Sequence, residues 1–86
     1  MVKGTILVSN PTGLHTRPAK HVVAEAKKFE SKITIKCAEK EADAKSLLKI
    51  MKLGITQNKE IELQCDGTDE EKALSAMTEF ILNLEG

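Results

Sequence analysis

His15 and Arg17 lie two positions apart in the stretch Asn10-Pro11-Thr12-Gly13-Leu14-His15-Thr16-Arg17-Pro18-Ala19. These residue types at this spacing suit a histidine that carries a phosphoryl group. A neutral imidazole nitrogen is nucleophilic near neutral pH. A guanidinium adds fixed positive charge and planar donors that match phosphate. Pro11 and Gly13 punctuate a loop after an apolar run, which is how a strand ends. Pro18 stands where the first turn of a helix tolerates a missing N–H. His15 is therefore expected at a strand-to-helix junction, at or beside the N-cap. There the orphan N–H groups and the positive end of the helix dipole favour an anion. The same positive field disfavours imidazolium and is expected to lower the His15 pKa, a shift that NMR titration of the ring would read. Thr12 and Thr16 either shape the loop or donate to phosphate.

The elements that must position this loop follow from periodicity. A first strand spans Thr5 to Val8, or begins as early as Val2, with Ile6 and Val8 on one face. The first helix runs from about Thr16 to about Phe29. Its buried stripe is Ala19, Val22, Val23 and Ala26, while Lys20, Glu25, Lys27 and Lys28 face water. After Ser31 a second strand alternates Ile33, Ile35 and Cys37 with Thr34 and Lys36, so one face is apolar and the other polar. A short third strand, about Glu39 to Asp43, returns as a hairpin. Asn58 and Lys59 lead into a fourth strand with Ile61, Leu63 and Cys65 on one side and Glu60, Glu62 and Gln64 on the other. Thr68 and Glu71 fit a capping box for the last helix, whose stripe is Ala73, Leu74, Met77, Phe80, Ile81 and Leu84. The order is βαββαβα, a two-layer α/β arrangement. Pattern alone leaves a ferredoxin-like sheet open as well.

Composition narrows the function classes. The 86 residues carry 13 basic and 13 acidic side chains with no basic block, and the only aromatics are Phe29 and Phe80. A nucleic-acid surface needs a basic stripe, commonly with aromatics, so none is expected. Cys37 and Cys65 lack CxxC spacing and read as small core residues in a reducing compartment rather than a bridge. No signal peptide or membrane-length apolar run is seen, so one cytoplasmic domain over 1–86 is expected, without membrane insertion. His21 follows His15 by six positions, off the i, i+4 spacing of a helical metal pair, and no metal or cofactor is expected.

A second motif begins at Ser46, a good N-cap, opening a short helix from Leu47 to Leu53 that Gly54 stops. That helix is rich in apolar residues: Leu47, Leu48, Ile50, Met51 and Leu53. One stripe can face a sheet, so Leu47, Leu48 and Met51 are expected to remain as an exposed docking patch. Phosphate on Ser46 would suit the helix dipole and alter the charge offered to a partner.

Gly13-Leu14-His15-Thr16-Arg17-Pro18-Ala19, together with Ala44-Lys45-Ser46-Leu47-Leu48 and Met51-Lys52-Leu53-Gly54, resembles the signature of the HPr family, the histidine phosphocarriers of the bacterial phosphoenolpyruvate-dependent sugar phosphotransferase system. The resemblance implies an α+β open-faced sandwich, a four-stranded antiparallel sheet covered on one face by three helices. In it the second and fourth strands are antiparallel neighbours, which holds Cys37 and Cys65 apart. It further implies a protein substrate rather than an enzyme, taking a phosphoryl group from Enzyme I on Nδ1 of His15 and giving it to a IIA protein of a sugar permease. Thr16 and Arg17 would then bind the phosphate, and Thr16, Lys20, Leu47, Leu48 and Met51 would dock partners, with the carrier monomeric. Regulation at Ser46 by an HPr kinase/phosphorylase and binding of a catabolite control repressor are implied too. Lys49 and Lys52 replace residues commonly glycine and serine in regulated members. A regulatory paralogue, a nitrogen-branch homologue and an acylphosphatase-type enzyme are the competing readings, and the last would hydrolyse acyl phosphates.

Overall fold

A computed structural model describes residues 1–9, 13, 14 and 16–84, with the Thr16 side chain left out. Its elements are β1 (Val2–Val8), α1 (Thr16–Ala26), β2 (Lys32–Cys37), β3 (Lys40–Asp43), α2 (Leu47–Lys52), β4 (Lys59–Asp66) and α3 (Glu70–Leu82). The strands form one antiparallel sheet in the order β1-β4-β2-β3. This is the expected open-faced sandwich. The hairpin between β2 and β3 turns on Ala38 at φ 57°, and Cys37 pairs with Lys40 across it.

Period two decides which side of the sheet is covered. Ile61, Leu63 and Cys65 of β4 stand opposite Ile6, Gly4 and Val2 of β1, and Leu63 and Cys65 also stand opposite Ile35 and Ile33 of β2. The helices bury this row through Ala19, Val22 and Ala26 of α1, Ile50 of α2, and Ala73, Met77 and Ile81 of α3. Each fully buried Ile or Leu contributes roughly 1.5–3 kcal/mol relative to an exposed one. The opposite face is polar, with Lys36 between Glu62 and Glu41, and Thr34 between Gln64 and Asp43. Opposite charges across strands favour that register and let the face stay in water. Cys65 is buried and Cys37 half-buried, both as free thiols. Burial above all, then the charges of Asp69 and Glu70, pushes the Cys65 thiol above its ordinary pKa, so it is a poor nucleophile.

Two boundaries differ from the sequence reading. The first helix ends at Ala26, not near Phe29. There the N–H groups of Lys28 and Phe29 bond three residues back, to Glu25 and Ala26, tightening the last turn. Distant side chains then hold the turn: Lys45 Nζ donates to the Phe29 carbonyl at 2.8 Å, and Asp69 accepts from the N–H groups of Glu30 and Ser31 at 3.0 and 2.9 Å. The Thr68–Glu71 capping box does not form. Asp69 is the N-cap residue of α3, without a side-chain cap bond, because its carboxylate serves Glu30, Ser31 and the buried Ser31 hydroxyl. Thr68 Oγ1 turns to Glu30 at 3.4 Å instead.

These bonds, the Ser31 hydroxyl first, hold the Asp69 carboxyl below its usual range. A lowered carboxylate pKa stabilises the fold above the unfolded-state value, and that contribution disappears as pH falls through the folded value. Asp69→Asn is therefore expected to lower the thermal midpoint near neutral pH. The gap from wild type should narrow as pH falls below the ordinary carboxylate range and the carboxyl protonates, in melts followed by circular dichroism.

Candidate functional site

The loop from β1 into α1 is anchored on both sides of its centre. On the incoming side, the Val8 carbonyl accepts from the Asn58 N–H at 2.7 Å and the Ser9 carbonyl from Gln57 Nε2 at 3.2 Å. On the outgoing side, the Leu14 N–H donates to the Ile55 carbonyl at 3.1 Å. Leu14 and Ile55 are both buried. Gly13 has φ 61°, and a Cβ there would lie 2.6 Å from Thr56 Cα. Only glycine fits such a left-handed, close-packed position without strain. His15 and Thr12 lie outside the described residues, as does the Thr16 side chain.

Thr16 opens α1, and Pro18 sits in its first turn with Ala19, both buried. Arg17 and Lys20 are exposed. No acidic residue occupies that first turn, so its orphan N–H groups and dipole meet no built-in counter-charge. The helix itself is amphipathic as read: Ala19, Val22 and Ala26 are buried, Val23 is half-buried, and His21 faces water.

Alongside lies α2, which packs against α1 and β3. Ser46 caps it in extended conformation, φ −118° and ψ 109°, and its Oγ accepts from the Lys49 N–H at 3.5 Å. Leu53 ends the helix, and Gly54 follows at φ 65° as the residue that reverses the chain. The apolar patch is smaller than expected. Leu48 is 65% exposed, but Leu47 and Met51 are half-buried against the core. The reason is that α2 meets two neighbours, the sheet edge and α1, so more than one stripe is covered. Lys49 and Lys52 are exposed. Two concavities, of about 550 and 580 Å³, lie elsewhere: one along α3 and the start of β1 at Val2, Leu74 and Leu82, the other beside β3. Lys49 and Lys52 line the second together with Lys32 and Lys40.

The sequence reading did not single out residues 55–57 as supports of the loop, and took Asn58 only as a turn. Asn58 adopts φ 69° just before β4, and its residue type, which tolerates that conformation, is the local signal the sequence carries.

A four-stranded open-faced sandwich whose first βα loop is pinned before a helix N-terminus defines a small α+β class. Within it the chain belongs to the HPr family: residues 2–83 match the family described as the PTS HPr component phosphorylation site. The phosphocarrier protein HPr of Buchnera aphidicola subsp. Baizongia pistaciae is 44% identical over 85 residues, 99% of this chain and 100% of that protein. Among solved structures, a Mycoplasma histidine-containing phosphocarrier protein superposes with a TM-score of 0.90 at 35% identity, covering 95% of this chain and 93% of that one. HPr from Thermoanaerobacter tengcongensis gives 0.86 at 40% identity, with both chains fully covered. No helix among the described residues is long and apolar enough to cross a membrane.

Proposed function

We propose that this protein is a phosphocarrier that takes a phosphoryl group from phospho-Enzyme I on His15 Nδ1 and hands it to a IIA protein. The observation that carries the reading is the family match over residues 2–83, with His15 directly before the first residue of α1. In phosphoryl transfer the protein mainly positions groups and balances charge. The His15 imidazole supplies the nucleophile; as its P–N bond forms, the P–N bond of the donor phosphohistidine breaks and the donor's imidazole leaves. The N–H groups of the first α1 turn and the Arg17 guanidinium offset the charge of the dianion. Thr16 adds a donor, and Lys20, Leu47, Leu48 and Met51 offer a mixed basic and apolar surface for partners.

Incubating the protein with Enzyme I and phosphoenolpyruvate tests this directly. The intact mass is expected to gain one acid-labile phosphate, and a folded protein that gains none would refute the carrier role.

Regulation at Ser46 belongs to the same proposal. Phosphate there would sit at the N-terminal end of α2, where the dipole accommodates it without refolding, and would repel an acidic or phosphorylated partner. Lys49, whose N–H bonds Ser46 Oγ, adds a charge beside the modified residue. Lys49→Gly is expected to change the rate of Ser46 phosphorylation by an HPr kinase/phosphorylase, and equal rates would show that the lysine is indifferent to the kinase.

A further inference from the structure

The β1–α1 loop is seated on one short connection, residues 55–58 of the six that join α2 to β4. Ile55 accepts from Leu14, Thr56 backs Gly13, Gln57 donates to Ser9, and the Asn58 N–H donates to Val8. Three hydrogen bonds and one backbone contact thus grip both limbs of the loop that contains His15. Two of those bonds are backbone to backbone and end on the strand terminus and on a buried leucine, so they also serve the fold. The Gln57 bond is different. It comes from an exposed side chain, reaches 48 positions back along the sequence, and closes no secondary structure.

We propose that Gln57 is a positioning residue for phosphoryl transfer, tethering the Ser9 limb of the loop whose sequence contains His15. This rests on the carrier reading above. A phosphoryl group moves in line between donor and acceptor nitrogens, so small displacements of the acceptor are costly; a misplacement of about 1 Å lowers rates by as much as ~10²-fold. One lost tether at the far limb of the loop is expected to cost about tenfold. The same connection begins at Leu53, the C-cap of α2, and turns at Gly54, so the helix capped by Ser46 is joined to residues 55–58 through the chain itself.

The test uses Gln57→Met, which keeps length and neutrality but removes the donor, and Gln57→Lys, which restores a donor of sufficient reach. Enzyme I kinetics with each protein as substrate would separate kcat from KM, and NMR would follow the His15 ring through a pH titration without any partner. The expected result is a roughly tenfold lower kcat for Gln57→Met, with KM within about twofold, an altered His15 titration, and recovery of most of kcat in Gln57→Lys. A change in KM alone would mean that Gln57 touches Enzyme I instead, and would overturn the proposal, as would an unchanged kcat. If wild type takes up no phosphate at all, the carrier reading fails. The ring titration then still decides whether Gln57 sets the state of His15: identical curves for wild type and Gln57→Met reject it.

Discussion

His15→Ala is expected to remove phosphate uptake from Enzyme I entirely, not merely slow it. The P–N bond forms at an imidazole nitrogen, and alanine supplies no atom to replace it. His21, the other histidine of the chain, is exposed on α1 six positions further along and so on a different side of the helix. It is not expected to substitute. Intact-protein mass after incubation with Enzyme I and phosphoenolpyruvate would read the outcome, with far-UV circular dichroism to establish that the variant is folded. The expected spectrum shows one acid-labile adduct on wild type and none on His15→Ala. An adduct surviving on the variant would reassign the acceptor, and a second variant lacking His21 would then locate it.

The next largest effect is expected from Gly13→Ala, on stability and transfer together. Alanine at φ 61° lies in the left-handed region, disfavoured by about 1–2 kcal/mol. Its Cβ would also meet the Ile55 carbonyl and lie 2.6 Å from Thr56 Cα. Both are backbone atoms and cannot swing aside as a side-chain tip could. The chain must either open the Leu14–Ile55 hydrogen bond or displace the connection into β4. Summed with the conformational term, a loss of roughly 2–4 kcal/mol is expected, seen as a lower urea midpoint with an unchanged slope. Transfer per folded molecule should fall as well, because the limb next to His15 has moved. A variant as stable as wild type would mean that the loop has another comfortable conformation.

Much of this was legible in the sequence, because the signals were local. The alternation Ile33-Thr34-Ile35 and Ile61-Glu62-Leu63 wrote two strands and their buried face, and Ser46 with Gly54 bracketed α2. What escaped involved partners far apart in sequence. Asp69 looked like one more acidic residue at a helix start, yet its carboxylate is taken by Glu30 and Ser31, and the expected capping box gives way. The first helix looked longer because Lys27 and Lys28 continue a helical pattern, while the turn that ends it is held by Lys45 and Asp69. Leu47 and Met51 seemed surplus because a lone helix on a sheet buries one stripe; nothing local announced that α1 would cover another side. For the proposed site, His15 and Arg17 stand out in the sequence by type and spacing. The supports do not, since Ile55 acts through a backbone carbonyl that any loop possesses, and Gln57 through a side chain whose partner lies 48 positions away.

The strand order carries a consequence for how the molecule is made. One of the two inner strands is β4, the last strand to leave the ribosome, and both β1 and β2 lie against it. Until residue 66 has emerged, β1 has no neighbour in the sheet, and the only strand pair available is the β2–β3 hairpin. Contacts of such long sequence separation close late and slowly. The connection that grips the β1–α1 loop is synthesised immediately before β4, so that loop has no seat until the connection has emerged. An unfinished polypeptide would expose the sequence Gly13 to Ala19 without the contacts from residues 55–58 that seat this loop in the finished fold.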